Sequence, residues 1–112
     1  MGVRGSIIFI AALLLFAAGC SNEGGTGYDI DQDQDLYEEA VQVYKQSCIQ
    51  CHGTDLEGRV GDRSNLTQVG SSLSKEQIMD AIKQGPKIMP AFEELLTPEE
   101  IEALAEWLKT KK

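Results

Sequence analysis

The sequence predicts an all-α domain. Three segments after residue 35 carry apolar residues at helical spacing and are bounded by capping signals. No segment makes a convincing strand. The stretch from Gly53 to Gly70 follows neither the helical nor the strand period and holds four glycines, Gly53, Gly58, Gly61 and Gly70. A structureless segment that long in a compact domain implies that it wraps something.

The first helix is expected from about Leu36 to about Ser47. Leu36, Ala40, Val43 and Ser47 share one stripe, Tyr37, Val41, Tyr44 and Cys48 the next, and Asp35 is the expected N-cap. The second runs from about Lys75 to Gln84. Ser74 and Gln77 form a capping box, Ile78, Ala81 and Ile82 make the apolar face, and Gly85-Pro86 stops it. The third runs from Pro98 to about Thr110. Thr97 and Glu100 form a second capping box with Pro98 at the first helical position, and Ile101, Leu104, Ala105 and Leu108 keep core spacing.

The chain has 112 residues and a net charge of −8, from 10 Lys+Arg and 18 Asp+Glu. That length allows one small domain. The acidic balance argues against a nucleic-acid partner, which needs a basic face. Residues 1–19 read as a signal peptide: Arg4 supplies the positive end, and Ile7 to Ala18 is an unbroken apolar run too short to span a bilayer. The run ends in Ala17-Ala18-Gly19-Cys20, which resembles the lipobox of bacterial lipoproteins. The resemblance implies cleavage before Cys20 and lipidation of its sulfur, hence a protein anchored on the extracytoplasmic face of the cell membrane. An ordinary cleaved signal and an uncut anchor helix are the alternatives. Residues 20–35, rich in Gly, Asp and Gln, then read as the lipidated cysteine and a flexible acidic tether, and residues 36–112 as the domain.

Cys48-Ile49-Gln50-Cys51-His52 carries the chemistry. Two thiols at this spacing followed by histidine mark covalent attachment of a c-type haem. The thiols reach the two vinyl groups of one porphyrin, and His52 is held beneath the ring with a nitrogen aimed at iron. Haem also supplies apolar volume to a chain whose own core is thin. Three rivals exist. A redox dithiol normally starts a helix, whereas here a helix precedes the motif. Zinc would want a fourth ligand, and the chain has no other histidine. A structural Cys48–Cys51 disulfide in an exported lipoprotein without haem is the third. Given haem and no second histidine, methionine is the natural sixth ligand. Met89 lies in Gly85-Pro86-Lys87-Ile88-Met89-Pro90-Ala91-Phe92, where prolines stiffen the chain. Met79, on the second helix, reads as core.

The sequence resembles the class I cytochromes c, specifically the small lipid-anchored monohaem proteins of Gram-positive bacteria. The resemblance covers nearly all of the chain after the tether. It rests on Cys48-x-x-Cys51-His52-Gly53, on Met89-Pro90-Ala91-Phe92 and on the two terminal helices. It implies about three helices and a long loop around one covalent haem c, with Ala40 and Tyr44 of the first helix crossing the last helix at Leu104 and Trp107. The family usually has Gly-Pro shortly after the histidine, with a backbone carbonyl there accepting the histidine's N–H. Gly61-Asp62-Arg63-Ser64-Asn65-Leu66 has no proline, so a carbonyl near Ser64 is expected in that role.

Filled axial positions favour electron transfer over catalysis. The resemblance implies a carrier working between a quinol-cytochrome c reductase and a terminal cytochrome c oxidase, and it is expected to be a monomer, since nothing in the sequence requires an oligomer. A labile Met89 would instead permit peroxidase activity or gas binding at iron.

Overall fold

The computed structural model describes residues 28–112. The signal peptide, Cys20 and residues 21–27 of the expected tether lie outside the described residues. The domain is all-α: five helices and two 3-10 turns, with no strand among the described residues. Helices α1 (Glu38–Ser47), α4 (Lys75–Gln84) and α5 (Pro98–Lys109) are the three expected ones. Helices α2 (Ile49–His52) and α3 (Val69–Ser72) are single turns, and the 3-10 turns span Ile30–Asp33 and Asp62–Ser64.

Helix α5 is the centre of the packing, touching α1, α3 and α4. Its Ile101, Leu104, Ala105, Trp107 and Leu108 are all buried, as the i, i+3, i+4, i+7 spacing requires. The α1–α5 crossing is made by Ala40 and Tyr44 against Leu104 and Trp107, each at most 1% exposed. The Tyr44 and Trp107 rings meet edge to face, 5.3 Å between centroids. Such a pair contributes about 0.5–1.5 kcal/mol beyond burial of its area.

Both capping boxes form. Gln77 N–H donates to Ser74 Oγ and Ser74 N–H to Gln77 Oε1; Glu100 N–H donates to Thr97 Oγ1 and Thr97 N–H to Glu100 Oε2. These side chains satisfy helix donors that have no partner within the first turn. Gly85 ends α4 in the left-handed conformation at φ 61°, and a Cβ there would lie 2.3 Å from the Pro90 carbonyl carbon. Glycine is thus required both by the backbone angle and by the close return of the 85–92 loop. The Lys109 ammonium donates to the carbonyls of Gly70 and Leu73, so the short α3 is capped from α5.

Two expectations at the N-terminal edge are corrected. The tether was expected to run to Asp35, but Tyr28 onward belongs to the folded domain. Ile30 is 3% exposed, and the Asp33 carboxylate accepts hydrogen bonds from the Tyr28 hydroxyl, the Trp107 indole N–H and the Lys111 ammonium. Lys111 lies over the Tyr28 and Trp107 rings, 4.3 and 5.1 Å from their centroids. The acidic composition of the segment conceals one buried apolar residue and one partly buried ion pair. The first helix also starts later than expected. Asp35 is not its cap; Tyr37 precedes the first turn without a side-chain cap, and Leu36 is 80% exposed instead of in the core. The reason lies in the preceding turn, where Leu36 N–H and Tyr37 N–H both donate to Asp33 O. With Asp33 held by α5, that turn redirects the chain and takes Leu36 off the helical stripe.

Candidate functional site

A cavity of about 1150 Å³ occupies the place where a larger domain would have its core. That volume lies just above the ~300–1,000 Å³ usual for small-molecule sites. Its walls come from α1, α4, α5 and the long loop after α2. Leu66, Ile78, Ile82, Phe92, Leu104 and Leu108 supply the apolar lining. The loop that followed neither period in the sequence wraps this cavity.

The motif cysteines lie where α1 passes into α2. Cys48 ends α1, and its half-buried side chain lines the cavity; Cys51, in α2, is exposed and is not among the lining residues. Cys51 N–H and His52 N–H both donate to Cys48 O, at 3.2 and 3.0 Å, so one tight turn carries all three side chains. Burial, with a smaller contribution from neighbouring Cys51, pushes the Cys48 thiol up to about 11. A thiol this reluctant to ionise is unlike the activated cysteine of a redox dithiol. Among the described residues no group of three or more His, Cys, Asp or Glu side chains converges as a metal cage would, which speaks against the zinc alternative.

His52 lines the cavity, with Nδ1 2.7 Å from Ser64 O. A carbonyl can only accept, so Nδ1 carries the proton, and in the neutral imidazole the lone pair is then on Nε2. This is the carbonyl expected near Ser64. The loop is tied back onto α2 by Gly58 N–H donating to His52 O at 2.7 Å and Arg59 N–H to Cys51 O at 2.8 Å. Tyr44 adds a tie that the sequence did not reveal: its hydroxyl donates to Gly53 O at 2.6 Å. Burial raises the Tyr44 phenol, so it stays protonated and remains a donor. The periodicity of α1 marks Tyr44 as core but carries no signal for what its hydroxyl meets nine residues on.

Met89 lines the same cavity. Its loop turns through Lys87, a non-glycine residue at φ 58°, and Met89 N–H donates to Pro86 O at 3.1 Å. Phe92 is buried, and its N–H donates to Ile82 O at 3.0 Å, returning the loop to α4. Met79 packs against the core from α4 and does not line the cavity. The structure thus brings Cys48, His52 and Met89 to one apolar chamber, with Cys51 on the adjoining turn. A flat, largely apolar macrocycle with one metal ion fits this chamber: His52 can offer Nε2, Met89 a soft thioether, and the walls from α4 and α5 are hydrocarbon while the loop side carries Arg59, Asp62 and Arg63.

Comparison with known proteins agrees. Residues 35–108 match the family model described as "Cytochrome C oxidase, cbb3-type, subunit III". The chain is 34% identical over 111 residues to cytochrome c-551 of Bacillus subtilis (strain 168), covering 96% of each chain. It is 30% identical over 77 residues to cytochrome c-550 of the same organism, covering 69% of this chain and 61% of that one. A solved structure described as "KustC0563 c-type cytochrome" superposes with a TM-score of 0.53 at 30% identity, covering 65% of this chain and 96% of the other. The chain belongs to the cytochrome c family: it is a small monohaem electron-transfer protein, not an enzyme, and it holds haem c covalently.

Proposed function

We propose that this protein is a membrane-anchored carrier of single electrons. Cys48 and Cys51 hold the haem through thioethers, and His52 and Met89 are the axial ligands to iron. The observation that carries this reading is that His52, its Nδ1 committed to the Ser64 carbonyl, lines one cavity together with Met89. Haem c supplies one-electron Fe(III)/Fe(II) chemistry when bound. His52 offers Nε2, oriented by its bond to Ser64. Met89 offers a thioether from a stiff loop, and methionine ligation raises the reduction potential. The apolar residues of α4 and α5, Ile78, Ile82, Leu104 and Leu108, would shield one side of the ring from water. With two side chains filling the axial positions, no position stays open for a substrate, which supports electron transfer.

Cys20 is the lipid anchor in this reading and places the domain on the extracytoplasmic face of the cell membrane. Its support is the apolar run that ends in small residues directly before Cys20. No helix among the described residues is long and apolar enough to cross a membrane. The donor is a quinol-cytochrome c reductase and the acceptor a cytochrome c oxidase. The matched family model, described as an oxidase subunit, supports a place beside such an enzyme.

An absorption spectrum of the exported protein, oxidised and then reduced, tests the site. A sharp reduced α-band, with a weak long-wavelength oxidised band that Met89→Ala abolishes, is expected. A colourless protein would overturn the reading. For the anchor, Cys20→Ser should release the protein from the membrane, and retention there would remove Cys20 from the proposal.

A further inference from the structure

The bond from His52 to Ser64 O depends on a turn that Ser64 itself fastens. Ser64 is 7% exposed and ends the 3-10 turn Asp62–Ser64. Its hydroxyl donates to Gly61 O at 2.7 Å and accepts from Val60 N–H at 3.0 Å. Its own N–H also donates to Gly61 O, at 3.0 Å. The side chain therefore bridges both ends of the 60–64 segment. The neighbouring stretch of the loop closes over it: a Cβ at Gly58 would lie 2.6 Å from Ser64 Oγ. No proline stands in Gly61-Asp62-Arg63-Ser64-Asn65-Leu66 to stiffen this turn. The peptide unit that carries the carbonyl is held by Asn65 N–H on Asp62 O at 3.3 Å, and the hydroxyl adds the two bonds that hold the turn beneath it.

We propose that the Ser64 hydroxyl is a positioning group for the iron site, holding the Ser64 carbonyl against His52 Nδ1–H and so tuning the reduction potential. The inference rests on His52 being an axial ligand. A partner on the far nitrogen of a ligating histidine fixes the ring and raises its basicity. A more basic imidazole stabilises Fe(III) over Fe(II). A slack turn weakens that hydrogen bond, leaves the imidazole a poorer donor and raises the potential. The hydroxyl acts through geometry and touches neither haem nor iron.

The test compares wild type, Ser64→Ala and Ser64→Thr as haem-loaded proteins. Ser64→Ala removes the bridge and leaves a small buried side chain; Ser64→Thr keeps the hydroxyl. Ser64→Ala should favour the reduced form by up to about tenfold, equivalent to a rise of ~59 mV for a one-electron couple. Exchange of His52 Nδ1–H with solvent in the reduced protein should speed up by about tenfold, the effect of weakening one hydrogen bond by about 1.4 kcal/mol. Ser64→Thr should stay near wild type in both. An unchanged potential and exchange rate in Ser64→Ala, or an equal change in Ser64→Thr, overturns the inference. The oxidised wild type is read alongside for paramagnetic shifts on the His52 ring. Their absence would remove His52 as a ligand whatever the serine variants do; their presence with an unmoved potential in Ser64→Ala would remove only the role given to Ser64.

Discussion

The two faces of the cavity are built differently. On the His52 side the backbone is tied repeatedly: Gly58 and Arg59 N–H groups return to α2, Tyr44 holds Gly53 O, and Ser64 O holds the imidazole itself. On the Met89 side the loop from Gly85 to Phe92 has few ties. Lys87 and Ile88 are exposed, Met89 has one turn hydrogen bond to Pro86, and the loop is closed by Gly85 against Pro90 and by Phe92 N–H on Ile82. One face is held by hydrogen bonds, the other by steric fit and proline stiffness. Local opening follows the weaker attachments, so the methionine side is the one that yields first.

The comparison is broken most directly at the proposed ligands themselves. Under the proposed ligation His52→Ala and Met89→Ala would each lose one bond to iron, but His52→Ala also leaves the Ser64 carbonyl without its partner. Thermal unfolding of the haem-loaded variants should show His52→Ala less stable than Met89→Ala by about 1–3 kcal/mol. Equal losses would mean that the hydrogen bonds around His52 add nothing to its hold. The next effect sharpens the account of the other face. Gly85→Ala places a methyl group against Pro90 in a left-handed conformation and should cost about 2–4 kcal/mol from strain and overlap together. Because the same loop carries Met89, its long-wavelength oxidised band should weaken in parallel with stability. An intact band at reduced stability would separate the α4 terminus from the methionine.

Much of this architecture is legible in the sequence because local chemistry determines it. Thr97-Pro98 with Glu100, Ser74 with Gln77, and Gly85-Pro86 specify helix ends through bonds that span three or four residues, and the observed helices start and stop on them. Cys48, Cys51 and His52 are adjacent in sequence, so their shared turn needs no tertiary knowledge. The carbonyl for His52 could be placed near Ser64 because the resemblance to class I cytochromes c puts such a carbonyl shortly after the histidine. What stayed hidden depends on partners far along the chain. Asp33 reads as one more acid in a solvated tether until Trp107 and Lys111, from the far end of the chain, reach it. Leu36 reads as core because its helical spacing is right, and no local signal reports the turn that rotates it into solvent. The hydroxyls of Tyr44 and Ser64 were unreadable for the same reason: a periodic pattern tells which face is buried, not which oxygen a hydroxyl will find.

The Asp33 corner gives a third test, and it separates acid lability from the haem site. Burial by itself would raise the Asp33 carboxyl, but hydrogen bonds from Lys111, Tyr28 and Trp107 outweigh it and hold the group below the usual carboxylate range. A carboxyl lower in the folded than in the unfolded chain stabilises the fold above its unfolded value, about pH 4, and that stabilisation is lost as pH falls through the folded value. Asp33→Asn should therefore cost about 1–3 kcal/mol at pH 7, where it leaves buried Lys111 without its counter-charge. The gap between wild type and variant should narrow as pH drops below about 4. A gap that stays constant into acid would show that Asp33 acts by shape and not by charge.

The smallest effect expected is at Ile88, and its smallness is what makes it informative. Ile88 is 82% exposed beside Met89, so an apolar side chain stands in solvent on the less tied face. If that face were held by hydrophobic burial, Ile88→Ser would loosen it. If it is held by Gly85, Phe92 and the prolines, the substitution removes nothing the loop uses. Thermal unfolding should then move by less than about 0.5 kcal/mol, as for an ordinary surface position. The oxidised long-wavelength band should keep its wild-type intensity. A loss of that band at unchanged stability would show that Ile88 steers Met89 directly. The methionine side would then owe its order to a residue exposed to water, and the contrast between the two faces would be one of residue type and not of attachment.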